Sequence, residues 1–576
     1  MSRIASDLAS SPHHASTTEH QNGDSESTMK RLCIDRRPKV AIVGAGVSGL
    51  RCADILSRAG AQITIFEARN RIGGRVHQVE NGGYLVDAGS NWIHGTKGNP
   101  MSRLAERTRT AIMEPEEGSI VVDTIGKRRT VEESGELDAE FWATIVEAFK
   151  YSDENSATIN VETSLFDYLS QVWSSKLGGD NDRTQDLKDD SRMWGQFVGS
   201  PIDRQSLKFF FLEECLEGEN VFVADTYQKI LHEVAKPALK RADVRLGHEV
   251  KHIQYRQRAG EERVKVRLAD GAEHEFDEVI VTCPLGWLKK NKSSAFTPPI
   301  PARLSSAIDN IGYGALEKLY ITFPQPFWLG TQSQSANKTK NPDTPCFIRF
   351  YSPQYHPDPA SKSSATWNQS VISLAHLPSP TAQPTLLFYM HGDCGKHLTT
   401  LLAPHTPHSK LYNHHLQSFA EPFYSRLPNY NPNGETCKPT SFYLTSWQTD
   451  PFAGHSSYSC FQTGLAEGDK DIEVMRNTAE LGDNGQGLWL AGEHTAPFVA
   501  LGTTTGAWWS GEGVARRVAA RYGLVVVEEE EEAEEVEKVD EILGEEGECV
   551  RSGDGGEVSE MNIGKSMNGT GLGGAE

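Results

Sequence analysis

Val40, Ala41, Ile42 and Val43 run together after Lys39 without a polar break. Such a run predicts a short strand buried on both faces, as in a parallel sheet. In the next segment, SGLRCADILSRAG, Leu50, Ala53, Ile55 and Leu56 fall on a roughly helical stripe, and Gly60 stands where a helix stops. AQITIF then reads as a second strand ending at Glu67. Further along, VKHIQY (250–255) and the alternating LEKLYITF read as strands. LWLAGEHT is an apolar strand running into Gly492 and Glu493, and GTTTGAWWSGEGVARRV is a loop feeding a helix. The acids of FLEECLEGEN (211–220) read as a solvated helix face, with capture of a polycation as the alternative. No short-period repeat appears, and no apolar run approaches the roughly 18 residues of a membrane span.

The first strand–helix–strand unit carries glycines where chemistry needs them. Gly44, Gly46 and Gly49 have GxGxxG spacing between strand and helix. The first permits a tight turn, the second a close pyrophosphate, the third close helix–strand packing. The helix N-terminus offers free N–H groups and the positive end of its dipole. Glu67, 18 residues after Gly49, sits where a carboxylate can accept the ribose hydroxyls. A dinucleotide site follows. EARNRIGGRV then adds Gly73 and Gly74 between Arg71 and Arg75. A second basic glycine pair favours FAD over NAD, because an arginine can neutralise the pyrophosphate and flavin end of the longer cofactor bidentately.

Composition narrows the class. The net charge of −21 is uneven: residues from Glu528 onward hold 17 acids and 3 bases, leaving −7 for the other 527 residues. No basic footprint for nucleic acid is present. The nine cysteines are scattered without a CxxC pair, so neither disulfides nor a metal centre is expected. The polar N-terminus lacks a signal-peptide core, and no peroxisomal tripeptide ends the chain. The expectation is a cytoplasmic protein with no nucleic-acid or membrane partner. Residues 1–37 read as a disordered leader, 526–576 as a disordered acidic tail, and 330–369 as a long surface loop.

Several blocks recur in one order between residues 39 and 518: GAGVSGL, EARNRIGGRV, GYLVDAGSNWIHG (83–95), EVKHIQY, VIVTCPLGWLK, the FTPPIP…GYGALEKLYITFPQPFW region, SWQTDPFAGHSSYS, and LWLAGEHTAPFVALGTTTGAWWSGEGVA. This series resembles the flavin-containing amine oxidases: polyamine oxidases, lysine-specific histone demethylases and monoamine oxidases. The resemblance implies an α/β fold with a discontinuous Rossmann-type FAD-binding domain (38–95, 240–320, 441–525). It also implies a mixed α+β substrate domain, helical over 96–239 and sheet-forming over 321–440. It assigns FAD contacts to Ser48, Arg69, Gly74, Gly89, Ser90, Trp92, Val250, Trp447, Glu493 and the Thr504 amide, beside Gly44, Gly46, Gly49, Glu67 and Arg75. Trp92 and Trp447 read equally as core aromatics.

By the same resemblance Lys318 holds a water at flavin N5. Read alone it is a strand-edge lysine with a solvated head. Tyr458 matches one wall of the aromatic sandwich that receives the amine, where a ring face attracts a cation. The opposite wall is a second tyrosine in monoamine oxidases but Thr503 here, which favours polyamine oxidases and demethylases. Ser457 stands where monoamine oxidases carry the flavin-linking cysteine, so the implied FAD is non-covalent. His94 matches a polyamine-oxidase histidine near the substrate amine, with a structural role as the alternative. Thr226 replaces a usual glycine, implying local strain. The implied reaction takes a hydride from the carbon beside an amine nitrogen, with O2 as acceptor and H2O2 as product. A demethylase acting on a protein tail and a non-enzymatic flavoprotein-fold binder are the competing readings. The leader and the 96–239 segment leave little room for the extra helical elements of demethylases.

Overall fold

A computed structural model describes residues 37–114, 118–213, 215–256, 263–330, 345–353, 367–478 and 487–526. The leader through residue 36, the tail from 527 and most of the 330–369 segment lie outside these residues.

The apolar runs meet in a five-stranded parallel sheet, ordered Leu488–Leu490, Glu278–Val281, Lys39–Val43, Gln62–Glu67, Asp243–Leu246. Its strands come from distant parts of the chain, so the sheet is discontinuous in sequence. Both faces are covered, which is why Val40–Val43 alternates with nothing polar. On one face Val40 and Ile42 pack with Leu50, Ile55, Ala235, Trp508, Val514 and Val518. On the other, Ala41 and Val43 pack with Phe66, Val279, Leu304 and Ile308. The helix Val47–Arg58 ends at Ala59, and Gly60 follows with φ 95°, the left-handed residue that closes a helix.

A second, six-stranded sheet runs Ser441–Leu444, Leu316–Thr322, Thr385–His391, Gln369–Ser373, Phe347–Phe350, Ser119–Val122, antiparallel except for its last pair. Strand alternation divides Leu316–Thr322. Leu319 and Ile321 join the core under the helices Gly392–Leu402 and Lys410–Tyr424, so the 321–440 region carries two helices as well as its strands. Tyr320 joins the opposite core with Tyr389, Ile372 and Phe222. Lys318 shares the parity of Tyr320 and pairs with Tyr389 in the register.

The 96–239 segment contains the helices Val131–Asn155, Leu165–Lys176 and Asn181–Ser191 around Leu137, Phe141, Trp173 and Phe210. Thr130 opens the first with a capping box: its hydroxyl accepts the Glu133 amide at 3.1 Å and Glu133 accepts the Thr130 amide at 2.8 Å. FLEECLEGEN is not a helix face, although Glu217 keeps the solvent exposure expected of its acids, 64% exposed beside Lys97. Phe210–Glu213 is a short 3-10 turn, and one Glu213 oxygen accepts the Phe461 amide at 3.4 Å. Burial pushes the Glu213 carboxyl up to about 7. The turn follows from Phe209 and Phe210, which bury into two different cores and drag the acid inward.

Candidate active site

One end of the candidate site is built by the turn between Lys39–Val43 and the helix Val47–Arg58. Gly46 caps this helix in extended conformation without a side-chain hydrogen bond, so the first-turn amides remain available. A Cβ on Gly46 would meet nothing within 4 Å, and Gly74 stands against its Cα. The Ser48 hydroxyl is buried with no partner among the described residues. Glu67 is buried; its oxygens accept the Ala45 amide at 2.8 Å and the Arg69 amide at 2.9 Å. Arg69 itself turns to Asp450, at 2.7 Å, and to the Phe452 ring. Val250 begins its strand at a register irregularity, buried against the sheet.

Arg75 and Glu493, 418 residues apart, form an ion pair at 2.8 Å. Arg75 also donates to the Ser457 carbonyl at 2.6 Å. Glu493 accepts the Ser459 hydroxyl at 2.5 Å, and these donors hold its carboxyl below the usual range despite burial. The Ser457 hydroxyl accepts the Leu316 amide at 2.9 Å. Thr503 caps the helix Thr504–Arg521: its hydroxyl accepts the Gly506 amide at 3.0 Å and donates to the Ala500 carbonyl at 2.7 Å. The Thr504 hydroxyl donates to Ser90 at 2.9 Å. The cap leaves the Thr504 amide as the first free donor of that helix.

These residues fit an FAD. An uncapped glycine turn with open space before Gly46, an orphaned Ser48 hydroxyl and an Arg75–Glu493 pair match a bound pyrophosphate. His494, fully buried, has both ring nitrogens without a partner among the described residues. Such groups are costly unless something occupies the space beside them.

A second group of residues centres on Lys318. It is 5% exposed, inside the strand rather than at its edge. Its ammonium donates to the Asp87 carbonyl at 3.3 Å and to the Gly89 carbonyl, and lies 5.8 Å from the Tyr389 ring centroid. It makes no ion pair among the described residues, and burial pulls its pKa down. Gly89 admits no side chain, since a Cβ would fall 1.7 Å from the Arg75 carbonyl. Trp447 is core: its indole donates to the Ala88 carbonyl at 3.0 Å. Trp92 donates to the Tyr389 hydroxyl at 3.0 Å and packs edge-on to Phe222. His94 is half-buried, hydrogen-bonded to Asn220, and burial keeps it neutral. Tyr458 donates to the Phe197 carbonyl at 3.1 Å.

The sequence reading missed Asp87, Tyr389, Glu317 and Ser459. Asp87 and Ser459 sit inside quoted blocks, Ser459 next to Tyr458, so position could have flagged them. Glu317 sits in the same block as Lys318, beside it, but its contacts are long-range: it accepts the Trp447 and Gln448 amides at 3.2 and 2.8 Å. Tyr389 lies in an unremarkable apolar strand.

Residues 47–519 match the family described as flavin containing amine oxidoreductase. Among relatives, a lysine-specific histone demethylase 1B homolog of Caenorhabditis elegans is 30% identical over 51% of this chain and 37% of its own length. Probable polyamine oxidase 4 of Arabidopsis thaliana is 30% identical over 51% of this chain and 59% of its own. Probable polyamine oxidase 5 of the same plant is 23% identical over 84% and 99%. The chain thus spans between about a third and two thirds of the first two relatives' lengths. A putrescine oxidase double mutant shares the fold with TM-score 0.60 at 16% identity, over 84% of this chain and 99% of the other. The match over most of the described chain makes this protein a member of the flavin-containing amine oxidoreductase family.

Proposed function

We propose that the protein is an FAD-dependent amine oxidase of polyamine type, with FAD held non-covalently. When bound, FAD supplies the two-electron chemistry: a hydride leaves the carbon beside the amine nitrogen, the resulting imine is hydrolysed to a carbonyl compound and a shorter amine, and O2 is reduced to H2O2. The observation that carries the reading is Lys318, a lysine buried inside a strand and held, among the described residues, by backbone carbonyls. A lysine with a lowered pKa can hold and orient a water and take or give a proton near neutrality. His94, neutral by burial, can accept a hydrogen bond from a secondary ammonium. Tyr458 gives the amine one aromatic face, and Thr503, occupied as a helix cap, leaves the opposite side without a ring. The names of the two Arabidopsis relatives point the same way.

The test is peroxide release by purified protein supplied with polyamines, acetylated polyamines, monoamines and a methyl-lysine peptide. Turnover of polyamines above the rest is expected, and preference for the peptide would move the protein to the demethylase reading. Acid precipitation should leave the yellow flavin in the supernatant, because Ser457 offers no thiolate for a covalent link. Flavin retained in the pellet would contradict that point.

A further inference from the structure

Glu317 precedes Lys318 in the strand Leu316–Thr322 and points to the opposite face, away from the reaction as outlined. It is fully buried, and among the described residues it makes no ion pair. Three donors hold it instead. One oxygen accepts the Thr445 hydroxyl and, at 3.2 Å, the Trp447 amide; the other accepts the Gln448 amide at 2.8 Å. The helix Gly392–Leu402 closes over this contact at Gly395, where a Cβ would come within 3.2 Å of Glu317 Cγ and 2.7 Å of Gln448 Nε2. A carboxylate sealed in this way persists only because hydrogen bonds replace its water.

What those donors do next leads to Lys318 from two sides. Pairing between Leu316–Thr322 and Ser441–Leu444 ends at Leu319 opposite Leu444. One step further, Thr445 takes both main-chain groups of Lys318: its amide donates to the Lys318 carbonyl at 3.0 Å, and its hydroxyl accepts the Lys318 amide at 2.8 Å. A hydroxyl has one hydrogen, and this one is committed to Glu317, which leaves the lone pairs for Lys318. On the other side, the Trp447 indole donates to the Ala88 carbonyl at 3.0 Å. Ala88 lies between Asp87 and Gly89, whose carbonyls accept the Lys318 ammonium. The contacts close a ring that runs from the strand through Glu317, the 445–447 turn and the 87–89 segment to the ammonium. We propose that Glu317 is a positioning residue for Lys318, fixing through Thr445 the main chain from which the lysine rises and through Trp447 the carbonyls on which its ammonium ends. The catalytic weight of Lys318 rests on the amine-oxidase reading; the ring of contacts does not.

The test is a double-mutant cycle of Glu317→Gln and Lys318→Met on the full-length protein, read by urea unfolding. A glutamine offers one acceptor oxygen to three donors and turns an NH2 group on one of them. If the hold of the ammonium on the 87–89 segment depends on Glu317, Lys318→Met has less to lose in the Glu317→Gln background. The combined change in the unfolding constant should then fall short of the product of the two single changes by about fivefold or more, whereas independent sites agree within roughly twofold. A combined change equal to that product would overturn the proposal and leave Glu317 as the cap of a turn. If Glu317→Gln does not fold, Thr445→Val decides in the same cycle, because it keeps the carboxylate and removes the hydroxyl that joins it to the Lys318 amide. The second readout is stopped-flow reduction of the flavin by amine in the holoprotein. Glu317→Gln should slow it by more than about threefold alone and by less than about twofold in the Lys318→Met background. Equal slowing in both backgrounds would overturn the proposal, since a purely structural loss does not depend on the lysine. Absence of flavin reduction by any amine in wild type counts against the amine-oxidase reading alone, and the unfolding cycle still decides the positioning.

Discussion

At Lys318 two physical readings of one side chain compete. A lysine at position three of a seven-residue strand is ordinarily a solvated head on an apolar stem. Here the strand is covered on both faces, and the ammonium ends on two carbonyls of the 87–89 segment. Lys318→Met should therefore keep flavin, since Glu67, Gly46 and Ser48 are untouched, but lose turnover. A charge-assisted contact of about 1.5–3 kcal/mol corresponds to a roughly 10- to 150-fold slowing. Stopped-flow traces of flavin reduction by amine and of reoxidation by O2 locate the loss; rates within about twofold of wild type would return the residue to a packing role. Thr226 is the second informative residue. Its φ of 58° lies in the left-handed region, where a β-branched side chain is strained. Its hydroxyl accepts the Gln228 amide only at 3.5 Å. Thr226→Gly should relieve about 1–2 kcal/mol of strain and give back about 0.5–1 kcal/mol of chain entropy, for a small net gain in stability. Thr226→Val keeps the strain and drops the contact, so its thermal midpoint should fall below wild type. The reverse order would mean that the turn is not strained.

Among the elements, the helices Val47–Arg58 and Thr504–Arg521 meet at backbone distance. A Cβ on Gly511 would lie 2.2 Å from the Ser48 carbonyl. Arg51 clamps the same contact, stacking 4.1 Å over the Trp508 ring and reaching Glu512 at 3.2 Å. On propensity alone Gly→Ala in a helix gains about 1 kcal/mol. Gly511→Ala should instead cost roughly 1–3 kcal/mol by overpacking and weaken flavin retention, because the displaced turn carries Ser48. Denaturation midpoints and the flavin-to-protein absorbance ratio check both; a stabilised, fully yellow variant would deny the close contact. These elements differ in how far the chain announces them. The Gly44–Glu67 unit was legible because periodicity, glycine spacing and the acid all lie within about thirty residues. The helix after Thr504 and the strand before Gly492 were legible for the same local reason. FLEECLEGEN departs from the expected helix face because Phe209 and Phe210 bury and draw Glu213 inward, while Glu217 stays in solvent. Nothing near Tyr389 announces that its ring will lie by Lys318, since strand pairing over 71 residues sets that contact. Thr503 was matched to a wall position, but its hydroxyl is committed to the helix below it, which only the cap geometry reveals.

Across the whole molecule, one buried ionic cluster fastens the helical segment to the six-stranded sheet. Arg349, on the strand Phe347–Phe350, reaches both oxygens of Asp190 at 2.6 Å, Asp138 at 2.8 Å and the Ser119 hydroxyl at 3.0 Å. Tyr351 donates to the same Asp190 at 3.2 Å. Asp138 lies in the helix Val131–Asn155, Asp190 in the helix Asn181–Ser191 and Ser119 on the neighbouring strand, so four elements converge on one guanidinium. The net value of such a cluster is small, because desolvation offsets most of the attraction, yet removing one partner strands the others. Arg349→Leu leaves two carboxylates facing each other in a buried site and should cost about 3–5 kcal/mol. Adding Asp190→Asn to Arg349→Leu removes the more buried of the two charges and should recover a substantial part of that loss. Urea unfolding of the two variants beside wild type provides the comparison. Equal stability of Arg349→Leu and wild type would mean that this cluster contributes nothing net to holding the helices on the sheet. Retained flavin in both variants is also expected, because the cluster lies on elements separate from the turn at Gly46 and from Arg75 and Glu493, and loss of flavin would reveal that the sheet and the cofactor cradle unfold together.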